Sequence, residues 1–171
     1  MSWVCYLIAS LDSNDTYIGS TNDFIKRLFN HNRKGNYGAK RTRGQTWIPV
    51  VIVSGFLDKI ACLSFEAGWK RIRKTGAKNS RFNAINLMCQ TNLSYLQRDI
   101  KWNRLMDLIY FTYNFTYLNG KFKMNHQHKF PVTVPPNLTL NIFQDEWIKD
   151  LPWVYFLESQ IVSLYLWPNL V

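Results

Sequence analysis

The segment WVCYLIASLDSNDTYIGSTNDFIKRLFNHNR, residues 3–33, contains two stretches of strand-forming residues followed by a helical pattern. Residues 3–10 and 16–19 are rich in Trp, Val, Tyr, Ile and Leu, which favour β-strands. Asp, Ser and Asn fill residues 12–15, and these residue types favour tight turns. The segment therefore predicts a β-hairpin that leads directly into a helix.

The rest of the first half continues this pattern. N-cap residues at 21–23 precede a helix predicted from about 23 to 32. The predicted bounds further along are 34–45 for a basic loop, 47–56 for a third strand, and 59–75 for a helix that ends before Gly76. We therefore predict an α+β unit in residues 1–90, with the order β-β-α-β-α and a three-stranded antiparallel sheet flanked by helices.

Residues 91–171 form a C-terminal extension of different composition. A helix is predicted from about 93 to 110, and the run 113–117 followed by Asn119-Gly120 predicts a strand and a tight turn. Three prolines then interrupt regular structure, and the end of the chain is rich in aromatic residues. The pattern predicts a helical, aromatic-rich extension and assigns it no role.

The chain of 171 residues carries 21 Lys and Arg against 11 Asp and Glu, a net charge of +10. Residues 1–90 hold 14 of the basic side chains and only 5 of the acidic ones. Such an excess predicts a polyanionic partner, and nucleic acid is the leading class. The candidates for nucleic-acid contact are Lys26, Arg33, Lys34, Lys40, Arg41, Arg43, Lys70, Arg73 and Lys74.

The composition also argues against several classes of protein. No apolar run approaches the roughly 20 residues of a membrane-spanning helix, and the N-terminus lacks a secretory signal pattern. Cys5, Cys62 and Cys89 are widely separated, so neither a zinc module nor a disulfide framework is predicted. His126 and His128 stand in a Lys-containing stretch, where they are a weak metal signal. We expect a protein that is not secreted and that works inside the cell, in the nucleus or at a viral DNA replication site.

Five polar side chains of the first half form a candidate catalytic set. Arg27 and His31 are four residues apart and share one helix face. Glu66 is the only glutamate in the first 145 residues, and it lies within a predicted helix among cations. Each side chain alone is an ordinary core or surface residue, so the combination carries the signal. The candidate catalytic residues are Tyr6, Tyr17, Arg27, His31 and Glu66.

The spacing of these residues resembles the GIY-YIG nuclease superfamily over about residues 3–74. The strings Gly38-Ala39-Lys40-Arg41-Thr42 and Phe65-Glu66-Ala67-Gly68-Trp69 are similar to its Slx-type branch of structure-specific endonucleases, which cut branched DNA. The first tripeptide reads Val4-Cys5-Tyr6 and keeps only the tyrosine. Because the cysteines of a C-terminal zinc module are missing, no helper subunit that binds such a module is expected.

The resemblance implies a metal-dependent endonuclease that hydrolyses phosphodiester bonds in four-way junctions, flaps and forks during recombination or repair. It implies that Glu66 binds Mg²⁺ or Mn²⁺ and that Arg27 presents its guanidinium to the phosphate. It also implies that Tyr6 acts as general base or positions water, while Tyr17 and His31 orient the reacting groups.

Other roles and activities stay open at this level. Gly19 is expected to provide backbone geometry near the phosphate, and Lys40 is expected to contact it. A homing or repair-incision nuclease of the same superfamily would cut other DNA, and a non-cutting DNA-binding protein would use the same scaffold. An RNA nuclease or RNA binder would use the same charges and aromatic rings. Since one site makes one nick, a homodimer is one way to cut both strands of a junction.

Overall fold

The computed structural model of the chain describes residues 2–33, 35, 37–73, 100–124, 138–143, 151 and 158–162. Predictions made for Lys34, Lys74, Gly76, Cys89, His126 and His128, for the start of the third helix and for most of the aromatic tail fall outside these residues.

The predicted hairpin is formed by β1 (Val4–Ser10) and β2 (Thr16–Thr21). The two strands pair antiparallel, with Tyr6 directly opposite Gly19. The Ser10 side chain accepts two backbone N–H groups of the turn, so the turn residues do not leave these donors unpaired. This hairpin places the two tyrosines of the candidate catalytic set on neighbouring strands.

The first helix, α1 (Phe24–Asn32), follows β2 after a single turn. The Asp23 carboxylate accepts the backbone N–H of Lys26 at 3.0 Å, which is the N-cap that the sequence predicts. β3 (Trp47–Ser54) and α2 (Lys59–Ile72) follow, so the order β-β-α-β-α is confirmed.

A short 3-10 turn, Lys40–Thr42, lies within the stretch predicted as a loop. The backbone N–H and the side-chain hydroxyl of Thr42 both donate to the Ala39 carbonyl at 2.9 Å. A side chain that bonds its own backbone in this way closes a tight turn without a longer helix.

The C-terminal elements are α3 (Ile100–Asn114), β4 (Phe115–Leu118), β5 (Lys121–Met124), β6 (Thr139–Phe143) and β7 (Glu158–Val162). The predicted helix end at residue 110 and strand start at residue 113 were wrong. Phe111 and Thr112 are buried and extend the packed face of α3, and this burial outweighs their tendency to form strands. No helix in the described part of the chain is long and apolar enough to cross a membrane.

The central sheet has five strands in the order β2-β1-β3-β6-β7, so it extends beyond the three strands predicted for residues 1–90. β6 pairs antiparallel with β3, and β7 pairs parallel with β6. The Asn141 amide of β6 also donates to the Ile52 carbonyl at 3.3 Å and to Ser54 Oγ at 3.1 Å. The C-terminal extension therefore contributes strands to the sheet that carries the candidate site.

Helices cover both faces of this sheet. On one face α1 packs over Tyr6 and neighbouring strand residues, while on the other α2, α3 and the β4–β5 hairpin enclose a larger apolar cluster. A Cβ atom at Gly68 of α2 would lie 2.3 Å from Phe111 Cζ of α3, so the glycine lets the two helices approach closely. Aromatic rings that meet edge to face fill this second core; they belong to Phe56, Phe65, Phe111, Phe115 and Phe122.

Candidate active site

Three of the candidate catalytic side chains form one hydrogen-bonded group between β1 and α1. The Tyr6 hydroxyl lies 2.9 Å from His31 Nε2, and Arg27 Nε donates to the same hydroxyl at 3.3 Å. Strand alternation turns Tyr6 towards α1, and the four-residue spacing turns both helix residues towards β1. Tyr6 is completely buried, His31 is 2% exposed, and Arg27 is half-buried.

Tyr17 joins this group from β2. Its ring centroid lies 6.3 Å from that of Tyr6 and 5.0 Å from that of His31, and its phenol interacts with the Arg27 guanidinium. Unlike Tyr6, Tyr17 is partly exposed. Of the two phenols, Tyr17 is therefore the one that presents surface to a ligand in this structure.

Glu66 approaches from the opposite face of the sheet, on α2. Its Oε2 accepts the Ser20 hydroxyl at 2.5 Å, and its Oε1 forms an ion pair with Lys70. The Lys70 ammonium lies 5.5 Å from the centroid of the Tyr17 ring. Because β2 is an edge strand, groups from both faces meet around it, and Lys70 links Glu66 to Tyr17 but not to the buried Tyr6.

The buried groups are neutral near pH 7. Burial raises the pKa of Tyr6 above its usual value, although the hydrogen bond from Arg27 opposes this. Burial and the Arg27 charge lower the pKa of His31 to about 4. Tyr6, which the resemblance assigns to general base chemistry or to the positioning of water, thus has no exposed surface and a phenol that resists losing its proton.

The donor set around Glu66 suits a divalent cation. Among the described residues, no three His, Cys, Asp or Glu side chains come together as a metal-ligand cluster. Mg²⁺ takes few protein ligands because it keeps several waters, and it prefers oxygen donors such as the Glu66 carboxylate and the Ser20 hydroxyl. The residues present fit a cation held through one carboxylate, provided that Lys70 releases Oε1.

The sequence model of the GIY-YIG catalytic domain matches residues 2–83. Residues 2–83 of the chain therefore form a GIY-YIG catalytic domain. Uncharacterized protein L300 of Acanthamoeba polyphaga mimivirus is 50% identical to this GIY-YIG protein over 164 residues, which cover 95% of this chain and 98% of the viral one. The chain therefore carries a nuclease domain, and nucleases of this family generally depend on a divalent metal.

Two fungal relatives carry the name structure-specific endonuclease subunit SLX1. The protein from Malassezia globosa is 46% identical over 71 residues, which are 40% of this chain and 16% of that protein. The protein from Vanderwaltozyma polyspora is 40% identical over 78 residues, which are 43% of this chain and 24% of that protein. The chain thus matches a quarter or less of each, and the predicted resemblance to the Slx-type branch of the GIY-YIG family is confirmed.

Gly19 of the GIY-YIG domain has a steric reason to be glycine. A Cβ atom there would lie 2.5 Å from the Tyr6 hydroxyl oxygen and 2.8 Å from Tyr17 Cε1. Both rings therefore lie against the bare backbone of β2. The glycine is buried, so the structure gives it a packing role, and its predicted role at the phosphate stays a prediction.

Part of the predicted basic surface lines one cleft. Arg41, Lys70 and Arg73 surround a cleft of about 310 Å³ that begins beside Tyr17. Arg104 of α3 completes it, and this residue lies outside the part of the chain that matches the GIY-YIG domain. Sequence analysis missed Arg104, since only the packing of α3 on α2 brings it here, where its backbone carbonyl accepts the Trp69 indole N–H at 2.9 Å.

The other predicted contacts are spread over the surface. Arg33 is exposed and stacks on the Tyr37 ring, 3.9 Å from its centroid. Lys26, Lys40 and Arg43 are exposed and do not line this cleft, while Lys34 and Lys74 fall outside the described residues.

Two residues that touch the site were not among the candidates. Ser20 binds Glu66, and Thr42 lies 2.7 Å from His31 Nδ1 through its hydroxyl. The only signals for them were the position of Ser20 directly after Gly19 and that of Thr42 at the end of the Gly38–Thr42 string.

Proposed function

We propose that this GIY-YIG protein is a metal-dependent endonuclease that hydrolyses phosphodiester bonds in branched DNA, such as four-way junctions, flaps and forks. The observation that carries the proposal is that Arg27 interacts with Tyr17 and that Lys70 links Tyr17 to Glu66. These groups lie beside a cleft lined with cations. The similarity to SLX1 subunits supports branched DNA as the substrate, in recombination or repair.

Arg27 and Tyr17 are the groups that we assign to the scissile phosphate. Arg27 donates to Tyr6 through Nε, and we assign the terminal nitrogens of its guanidinium to the non-bridging oxygens. Guanidinium groups fixed in advance stabilise the charge that develops on a phosphate during hydrolysis. Tyr17 is partly exposed beside Arg27, so we assign it the orientation of the attacking water.

Glu66 is the group that we assign to the metal, with Ser20 beside it. When bound, Mg²⁺ or Mn²⁺ supplies Lewis-acid stabilisation of the phosphate and of the leaving oxygen. The Ser20 hydroxyl fixes one carboxylate oxygen, and Lys70 neutralises the other until it is displaced. Lys70 lines the cleft as well, so its ammonium has a phosphate to turn to once it leaves Glu66.

The cleft is the surface that we assign to the DNA backbone next to the cut. Its cations are Arg41 of the 3-10 turn, Lys70 of α2, Arg73 directly after α2, and Arg104 of α3, which is buried and forms an ion pair with Asp107. Contacts of Lys and Arg with phosphates supply most of the affinity that does not depend on sequence, and they release counterions. A surface that contacts the phosphates of DNA rather than its base edges suits an enzyme that selects DNA by its branched shape.

The number of protein copies needed at a junction depends on how many DNA strands are cut. A single site makes one nick, so cutting both strands of a junction requires a homodimer or two successive engagements. Light scattering on the protein with and without junction DNA distinguishes the two, because only the homodimer doubles the protein mass on the junction.

The deciding experiment compares wild type with Glu66→Gln and Arg27→Ala on a panel of junction, flap, fork and linear duplex DNA with Mg²⁺ or Mn²⁺. We expect cleavage of the branched substrates and a fall of about 10³-fold or more in both variants. Both variants should still bind junction DNA in a mobility-shift assay. Lys121→Ala on the distant β5 strand is the matched control and should cut normally.

Each alternative activity has its own outcome on the same panel. Equal cleavage of linear duplex favours the homing or repair-incision type, and cleavage of an RNA panel alone favours an RNA nuclease. Binding without cleavage by the wild type favours a non-cutting scaffold protein. If the Glu66 and Arg27 variants cut as well as wild type, the assigned site is wrong.

A further inference from the structure

The Thr42 hydroxyl sets the direction of a buried chain of hydrogen bonds. Thr42 Oγ1 donates to the Ala39 backbone carbonyl at 2.9 Å, since a carbonyl oxygen only accepts. A hydroxyl has a single hydrogen, so its 2.7 Å contact with His31 Nδ1 requires an N–H on the imidazole. His31 therefore carries its hydrogen on Nδ1.

The other imidazole nitrogen of His31, Nε2, then has to accept a hydrogen bond. A neutral imidazole with its hydrogen on Nδ1 has a lone pair on Nε2, so the Tyr6 hydroxyl donates to His31 at 2.9 Å. The Tyr6 oxygen keeps its lone pairs for Arg27 Nε–H, which donates at 3.3 Å. Every hydrogen in the chain from Arg27 to Ala39 thus has one acceptor, and all donors point the same way.

The position of Thr42 is fixed on several sides. The side chain is fully buried, and the Trp47 indole N–H donates to the Thr42 carbonyl at 2.8 Å. A Cβ atom at Gly38 would lie 3.0 Å from Thr42 Oγ1 and 2.9 Å from the Asn30 carbonyl, so the glycine lets this segment lie against α1. The hydroxyl therefore has little freedom to choose another partner.

We infer that Thr42 is a positioning residue of the nuclease, which fixes the Nδ1–H tautomer of His31 and, through Tyr6, holds Arg27 ready for the phosphate. With the other tautomer, His31 Nε2–H and Arg27 Nε–H would both point at the Tyr6 oxygen. The Tyr6 hydrogen would then have no acceptor within this buried chain, which is unfavourable. The catalytic part of this inference rests on the proposed function, whereas the tautomer does not.

The tautomer is measured directly by nitrogen-15 NMR of the metal-free wild-type protein at pH 7. The His31 signals are assigned by their loss in His31→Gln. We expect the chemical shift of a protonated nitrogen at Nδ1 and of an unprotonated nitrogen at Nε2. A hydrogen on Nε2 overturns the inference whether or not the protein cuts DNA.

Thr42→Val removes the hydroxyl while keeping the shape, and Thr42→Ser keeps the hydroxyl. We expect Thr42→Val to shift His31 towards the Nε2–H tautomer and to lower kcat about 10- to 100-fold, with KM changed less than about threefold, as for other residues that orient a functional group. Thr42→Ser should keep the wild-type tautomer and recover most of kcat. Thr112→Val, which removes another buried hydroxyl bonded to a backbone carbonyl, is the matched control and should change neither.

Several outcomes would overturn the inference. These are full activity with the wild-type tautomer in Thr42→Val, or a Thr42→Ser variant as slow as Thr42→Val although folded. If Thr42→Val does not fold, the inference is still tested by the tautomer of His31 in the wild type and by the tautomer and kcat of Thr42→Ser. Cleavage by Glu66→Gln would instead remove the proposed function and leave the tautomer standing, so the two failures are distinguishable.

Discussion

The two faces of the central sheet use alternate residues of the same strands, yet they are held together in different ways. On the α1 face, the apolar cluster of the described residues has 8 members and surrounds a chain of directional hydrogen bonds through Tyr6, His31 and Thr42. On the α2 face, the corresponding cluster has 25 buried apolar members. The small polar face therefore fixes the geometry of the site, and the large apolar face supplies most of the burial that stabilises the fold.

The strongest test of the polar face is Gly19→Ala. The new methyl group would meet both the Tyr6 hydroxyl and the Tyr17 ring, and the fully buried Tyr6 ring cannot move away cheaply. We expect a loss of about 3 kcal/mol in the free energy of unfolding and, in the folded fraction, about 100-fold slower cleavage. Urea unfolding and single-turnover cleavage measure the two.

Gly120→Ala is the control for this change. Its Cβ atom meets nothing within 4 Å, so only the positive φ of 73° makes the substitution unfavourable. We expect about 1 kcal/mol of destabilisation and normal cleavage. Equal effects of the two substitutions would contradict the steric role of Gly19.

The matching test of the apolar face is Gly68→Ala. Its methyl group would clash with Phe111 and push α3 away from α2, which we expect to lower the free energy of unfolding by about 2 kcal/mol. Cleavage per folded molecule should change little because no site residue moves directly. Phe111→Leu in the same chain should recover part of the loss, and a purely additive double-mutant cycle would argue against this contact.

The stability of the α1 face is also expected to depend on pH. The pKa of His31 is lowered to about 4, so between that pH and 6.5 the unfolded chain binds more protons than the folded one. Stability from this group is therefore complete above pH 6.5 and is lost as the pH falls. Arg27, Tyr6 and Tyr17 face the imidazole, and burial together with the charge of Arg27 lowers its pKa.

We expect about 2 kcal/mol of destabilisation between pH 7 and pH 5 that is present in wild type and absent in His31→Gln. Urea unfolding of both proteins at the two pH values measures it. The comparison uses the change with pH, so the cost of the substitution itself cancels. Parallel pH profiles for the two proteins would refute the lowered pKa.

The smallest predicted effect concerns the cleft between the faces. Arg73→Ala removes one exposed cation, which we expect to weaken junction binding a few-fold and to reduce the magnitude of the slope of log affinity against log salt by about 0.9. Fluorescence anisotropy over a salt series measures the slope. Lys121→Ala should leave it unchanged, and a similar drop there would show that the cleft has no special role.

The sequence predicted the parts of the molecule that depend on local signals. The hairpin, the Asp23 cap and the two ends of α1 follow from neighbouring residues. Of the five candidate side chains, Tyr6, Tyr17, Arg27 and His31 contact one another, whereas Glu66 is connected to Tyr17 only through Lys70, and their catalytic roles stay predictions. Thr42 and Ser20 escaped notice because their roles depend on contacts 11 and 46 residues away along the chain.

The C-terminal strands escaped for a similar reason. β6 is a five-residue strand, and its Asn141 side chain bonds to groups of β3 that lie 87 and 89 residues earlier in the chain. No local sequence pattern predicts such a pairing.

The different roles assigned to Tyr6 and Tyr17 also depend on burial. The packing of α1 over Tyr6 buries that phenol, whereas Tyr17 stays partly exposed.

The pairing of β3 with β6 also determines which strand of the sheet has unpaired backbone groups. The pairs Val51 with Ile142 and Val53 with Leu140 occupy the side of β3 that a domain ending at residue 83 would leave open. Unpaired backbone N–H and C=O groups along an apolar edge strand form a template on which a strand of another chain pairs, as in ordered aggregates. In this chain β6 covers that side of β3, so the backbone groups of β3 are paired there, and the edge of the described sheet lies at β7 instead.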